Sequence, residues 1–163
     1  MPQATEITTQ YTNEASAELL QKINAPYFSE ADLATFDAQT AEWVRQRQAW
    51  EQQHPVIGIY RAATEGSLTR QGGIVQASHK EWTIDVGEEQ PLGVARVGDK
   101  VVYPDGSHAE ILTGSGKEYR EVALVGSRLS NGDEIISTRQ KSLLLVRRQG
   151  VPLPADFLAE REA

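Results

Sequence analysis

The stretch "VARVGDKVVYPDGSHAEILTGS", residues 94–115, decides the fold. It reads as an apolar run, Gly-Asp, a second apolar run, the turn "PDGS" and a third apolar run. A shorter copy follows in "VALVGSRLSNGDEIIS", residues 122–137, and an earlier one stands in "ATEGSLTRQGGIVQAS", residues 63–78. Each copy places Ala three residues before Gly: Ala63 and Gly66, Ala95 and Gly98, Ala123 and Gly126. A small polar residue follows each glycine (Ser67, Asp99, Ser127), and each copy resumes with an apolar pair: Ile74-Val75, Ile111-Leu112, Ile135-Ile136. Stacked arrays use more regular units. Three unequal copies in so short a span predict a closed pseudo-threefold object.

Around the repeats, short β-branched runs alternate with Gly, Pro, Asp and Asn from Pro55 onward, as in "VIGIY", "EWTIDV" and "KSLLLVRR". This is the pattern of many short strands with tight turns. Residues 1–54 follow a helical period instead. Asn13 is placed to cap a segment with Leu19, Leu20 and Ile23 that stops before Pro26. Ser29 and Asp32 have capping-box spacing, and Phe28 and Leu33 occupy the two positions of a hydrophobic staple. Leu33, Phe36, Thr40, Trp43, Val44, Arg47 and Trp50 then fall on one helical face, which His54-Pro55 ends. That face either packs on its own chain or docks a partner; Leu33, Phe36, Trp43 and Trp50 are its candidate contacts, because Trp is enriched at binding hot spots. Helices first and strands after, without βαβ alternation, argue against a doubly wound fold.

The chain has 163 residues, a net charge of -7 and no cysteine. Disulfides, thiolate metal sites and cysteine nucleophiles are excluded. Residues 1–54 carry 8 acidic and 3 basic side chains, while residues 55–150 carry 12 of each. No basic field is present to attract a nucleic acid backbone. No run approaches the ~18 apolar residues of a membrane helix, and "MPQATEITTQ" has no secretory signal pattern.

The pattern "ATEGSLTRQGG … VARVGDKVVYPDGSHAEILTGS … VALVGSRLSNGDEIIS" resembles a PAAR domain over residues ~56–148. The resemblance implies a mainly β fold, a small conical pseudo-threefold domain over 55–150; the acidic α-helical residues 1–54 lie outside it as an extension, and residues 151–163 follow as a short tail. It implies a structural tip on the trimeric VgrG spike of type VI secretion or a contractile phage tail, one copy per trimer. Such a tip would be cytoplasmic before firing and then exported on the spike, with no stable membrane insertion. The extension would serve as an effector adaptor or as a brace. Family members commonly bind zinc near the apex through histidines and a cysteine, five residues after each anchoring glycine. Here those positions are Gln71, Tyr103 and Asn131, with His108 nearby in sequence. Zinc prefers Cys, His or carboxylate, so the expectation is no metal or other cofactor, and a hydrogen-bonded cluster in its place.

No enzyme is expected. Ser107, His108 and Asp99 lack the strand-elbow-helix setting of a nucleophile. His54, His79 and His108 lack metalloprotease spacing, and "GSGKEY", residues 114–119, lacks two parts of a phosphate loop. The alternative to a spike tip is a free-standing β module for a small ligand or carbohydrate, which predicts a concave, aromatic-lined pocket.

Overall fold

A computed structural model describes residues 9–159. Three helices lie at the N-terminal side, α1 (Ala17–Asn24), α2 (Glu30–Leu33) and α3 (Ala38–Gln53). Nine strands follow: β1 (Val56–Arg61), β2 (Leu68–Thr69), β3 (Ile74–Gln76), β4 (Thr83–Ile84), β5 (Leu92–Gly93), β6 (Lys100–Val102), β7 (His108–Glu110), β8 (Ile135–Ser137) and β9 (Leu144–Arg148). Over the described residues the protein is thus mainly β, with its α-helices confined to the first third. Among the described residues, 14–59 and 146–152 form one compact unit, and 9–13, 60–145 and 153–159 form the other. β1 pairs with β9 in a two-stranded ribbon.

In the helical unit, Ser16 caps α1: its hydroxyl accepts from the Leu19 amide at 3.0 Å. Asn13, expected in that role, belongs to the other unit. Its carboxamide donates to the Val125 carbonyl at 2.7 Å and accepts from the Arg61 amide at 2.8 Å, satisfying a turn carbonyl and a β1 amide at once. The Ser29–Asp32 capping box forms, and Leu33 is buried with Phe28 packed against it. The expected single helix then breaks. Asp37 is a better cap than a helix interior; its carboxylate accepts from the Thr40 amide at 2.9 Å and the Thr40 hydroxyl at 2.6 Å, restarting the chain as α3.

That restart changes the face. The buried residues are Leu33, Ala41 and Val44, with Phe36 packed against them, whereas Trp43 is 66% exposed. Trp43 is therefore not on the face of Leu33 and Phe36. Trp50 is used elsewhere, between the guanidinium groups of Arg47 at 4.6 Å and Arg148 at 5.5 Å, with the His54 ring at 4.9 Å.

The β unit is organised by its three repeats. Ala63 donates its amide to the Ala123 carbonyl, Ala95 to Ala63, and Ala123 to Ala95, at 2.8, 2.9 and 2.9 Å. The three close a ring, and all are fully buried. Alanine suits this place because three side chains converge where a larger one would overpack. The next residues repeat the same bonds. The amides of Gly66, Gly98 and Gly126 donate to Val75, Ile111 and Ile135, and the amides of those three return to Ser67, Asp99 and Ser127. The side chains of Ser67, Asp99 and Ser127 in turn accept from the amides of Thr64, Arg96 and Leu124, each at 2.9 Å. The small polar residue after each glycine is thus a buried turn cap. Val75, Ile111 and Ile135 are fully buried in one core with the alanines. The first apolar pair is consequently shifted by one from its expected alignment: Val75 points inward, and Ile74 is 49% exposed.

β7, β6, β3, β2 and β8 form one antiparallel sheet, and β4 pairs with β5. The middle hairpin is four residues longer than the other two between its glycine and its inward isoleucine, because β6 and β7 add two residues per arm.

The anchoring glycines have φ of 85° (Gly66), 97° (Gly98) and 106° (Gly126). A Cβ on Gly98 or Gly126 would meet nothing closer than 3.7 Å, whereas one on Gly66 would lie 2.6 Å from Arg139 Cδ. Gly98→Ala and Gly126→Ala should each cost about 1–2 kcal/mol from backbone strain alone. Gly66→Ala should cost more, since Arg139 must also move. Denaturant unfolding of the three variants checks this order, and a Gly66→Ala no worse than the others would contradict it.

Candidate functional site

The three hairpin turns bring together the residues expected to replace a metal site. Gly72, Gly106 and Gly132 each adopt a positive φ, of 88°, 87° and 85°. Each donates its amide three residues back, to Thr69 at 3.1 Å, Tyr103 at 2.9 Å and Leu129 at 3.0 Å. By turn geometry Gln71 and Asn131 correspond to Asp105, and Tyr103 corresponds to Thr69 and Leu129. The expected common register of Gln71, Tyr103 and Asn131 therefore fails by two residues at Tyr103, which is the extra length of the β6 arm. That length still carries the Tyr103 ring to the turn of the third repeat.

There the Tyr103 hydroxyl donates to Asp133 Oδ2 at 2.6 Å and accepts from Asn131 Nδ2 at 2.9 Å. Asn131 Oδ1 accepts from the Asp133 amide at 3.0 Å. Asp133 Oδ1 accepts from the amides of Glu134 at 2.8 Å and Gln71 at 3.1 Å. Gln71 thus joins through its backbone. Asp133, only 2% exposed, is the hub that ties three turns, and sequence spacing did not single it out. Its signal was the Asn-Gly-Asp order of a tight turn followed by an inward strand. His108 lies on the exposed side of β7, opposite Val102.

Electrostatics agree with this arrangement. Burial works against the Asp133 charge. Hydrogen bonds from the Thr69 and Tyr103 hydroxyls and from the Glu134 and Gln71 amides outweigh it, and hold the carboxyl below the usual carboxylate range. The Tyr103 phenol is pushed upward, first by burial and then by its bond to Asp133. The cluster is an anion surrounded by donors. A zinc ion needs about four lone-pair ligands, and the residues gathered here do not fit it: a phenol, a carboxamide, a hydroxyl and one carboxylate already accepting at both oxygens. Among the described residues no three of His, Cys, Asp or Glu gather as a metal site.

The other candidates are placed as follows. Asp99 is committed to the Arg96 amide and the Ser78 hydroxyl. Ser107 bonds Asp105. The "GSGKEY" stretch becomes a single 3-10 turn over Lys117–Tyr119. Asp156 fills it: its carboxylate accepts from the Lys117 amide at 2.9 Å and lies where a Gly116 side chain would be. The place a phosphate would take holds the chain's own carboxylate. A cavity of about 240 Å³ lies among Ala62, Trp82, Tyr119, Val122, Leu124 and Leu143.

No family model, curated protein or solved structure matches the chain.

Tyr103→Phe should cost about 1–2 kcal/mol, since it strips a bond from a buried carboxylate. Asp133 also sets an acid limit. Its folded pKa is depressed, so its contribution is present above the unfolded value of about 3.9 and is lost as pH falls through the folded value. Asp133→Asn should therefore lower stability near neutral pH by about 1.5–3 kcal/mol and flatten the acid limb of the stability profile. An acid limb of unchanged slope in the variant would contradict the hub assignment. Chelator should leave the melting temperature unchanged; a drop on chelation, with near one zinc per chain, would overturn the anion-centred account.

Proposed function

We propose that the β unit is a PAAR-like spike tip, a single chain that caps the blunt end of a trimeric VgrG shaft in a type VI secretion system or a contractile tail. The observation that carries this reading is the closed hydrogen-bonded ring of Ala63, Ala95 and Ala123, one residue from each repeat. The end of a three-chain β-prism exposes sheet edges and apolar side chains, which is an adhesive surface. A lone monomer that presents one element three times can satisfy all three edges at once; an asymmetric monomer would leave two unmet. In this reading the repeats converge to a point at the Asp133 cluster, and short strands with doubly bonded turns supply the stiffness a puncturing tip needs. The driving force comes from the contracting machinery, so no catalytic group is required of the chain.

The acidic helical unit is then an appendage, either an adaptor for an effector or a brace. Export would follow from riding the spike. Among the described residues no helix is long and apolar enough to cross a membrane.

The cavity beside Trp82 and Tyr119 favours a second reading, a small-ligand module. Its walls are mostly apolar, with Glu118 and Arg120 as the charged members of the lining, which suits an acyl or aryl group with a polar end.

Light scattering of the chain mixed with a purified VgrG trimer tests the proposal. The expected result is one chain per trimer. A 3:3 complex, or no binding to any VgrG encoded nearby, would sink it.

A further inference from the structure

Three asparagines occur in the chain, and only Asn131 precedes a glycine. Asn13 precedes Glu14 and Asn24 precedes Ala25, whose β-carbons crowd the following amide nitrogen. Nothing lies within 4 Å of the place where a Gly132 β-carbon would stand. Asn131 is itself exposed to water.

We propose that Asn131 is a spontaneous modification site, gated by Tyr103, whose conversion loosens the turn cluster. The Gly132 amide nitrogen, after losing its proton to hydroxide, forms a bond to Asn131 Cγ. The Cγ–Nδ2 bond breaks, and Nδ2 leaves as ammonia with a proton from water. The resulting five-membered succinimide takes up one water at either carbonyl, giving aspartate or isoaspartate. The net change is gain of water and loss of ammonia, with no change of oxidation state.

Three hydrogen bonds oppose the first step in the intact turn. The Gly132 amide donates to the Leu129 carbonyl at 3.0 Å, which keeps its proton in place. Asn131 Oδ1 holds the Asp133 amide at 3.0 Å, and Nδ2 holds the Tyr103 hydroxyl at 2.9 Å. The side-chain carbon cannot swing onto the nitrogen until these release. Of the three, the Tyr103 bond is the one a side-chain substitution removes without touching the turn backbone.

The product changes the cluster in a defined way. A carboxylate at position 131 cannot donate to Tyr103, and it sets a second negative charge near the buried Asp133, which disfavours the charge there. Isoaspartate also lengthens the backbone inside the turn closed by Leu129 and Gly132. Conversion therefore removes one of the two bonds by which Tyr103 ties the second turn to the third, and leaves its bond to Asp133 as the remaining link. The gate depends on the turn cluster alone, whatever the protein binds.

The test incubates the full chain in mildly alkaline buffer below its melting temperature and follows the peptide holding Asn131 by mass, which rises by one unit on conversion. Tyr103→Phe should convert Asn131 about fivefold faster than the wild type, the factor set by one net hydrogen bond. Leu145→Ala, which destabilises the unit away from the turns, should leave the rate unchanged. The peptides holding Asn13 and Asn24 should stay unconverted in all three proteins. Equal rates in wild type and Tyr103→Phe would overturn the gate. So would acceleration by Leu145→Ala as great as that by Tyr103→Phe, because the gate would then be global unfolding. Conversion at Asn131 no faster than at Asn13 or Asn24 would overturn the site itself.

Discussion

The alanine ring is the constraint on which the β unit depends. Three backbone amides bond three backbone carbonyls in a closed cycle, and the methyl groups fill the space at its centre. A chain can bring three of its own segments this close only if none carries a larger side chain at the meeting point. Each segment must then turn away sharply, which is why a positive-φ glycine follows three residues later in every repeat. The small polar residue after that glycine caps the turn from within. Ring, glycine and cap form one unit of local chemistry, used three times.

Differences between the repeats matter as much as the likeness. The middle hairpin is longer, and its extra residues place Tyr103 against the third turn rather than beside its own counterparts. The stretches between repeats are put to other uses. β4 and β5 bring Trp82 and Ile84 against a second apolar cluster around Ala62, Val94, Val122 and Leu124. The Lys117–Tyr119 turn is closed from the C-terminal side by Asp156, and Phe157 meets Tyr60 edge-on at 4.9 Å. The tail expected over 151–163 is thus, through residues 153–159, an integral part of the β unit.

Much of this was legible in the sequence, and the failures have physical causes. The Ala-x-x-Gly repeat, the change of period near Pro55 and the Ser29–Asp32 box could be read directly, because each is a local rule with few competing solutions. The register at Tyr103 could not, since counting from a glycine assumes equal arms, and only strand pairing reveals the two added residues per arm. Asp133 was missed because an Asp after Asn-Gly reads as turn chemistry; its burial depends on two other loops arriving over it. Asn13 and Asp156 were misread or passed over for the same reason: their partners, Val125 and Lys117, are far away in sequence. Breaking the long helix at Asp37 moved Trp43 off the buried face, which periodicity over an unbroken helix could not show.

Amide hydrogen exchange at Ala63, Ala95 and Ala123 tests the central claim most directly. If the repeats close on the ring, these three amides exchange only through global unfolding, with the same protection as one another and as the most protected amides of the unit. One alanine amide exchanging orders of magnitude faster than the other two would show an open ring, and the threefold account would fall with it.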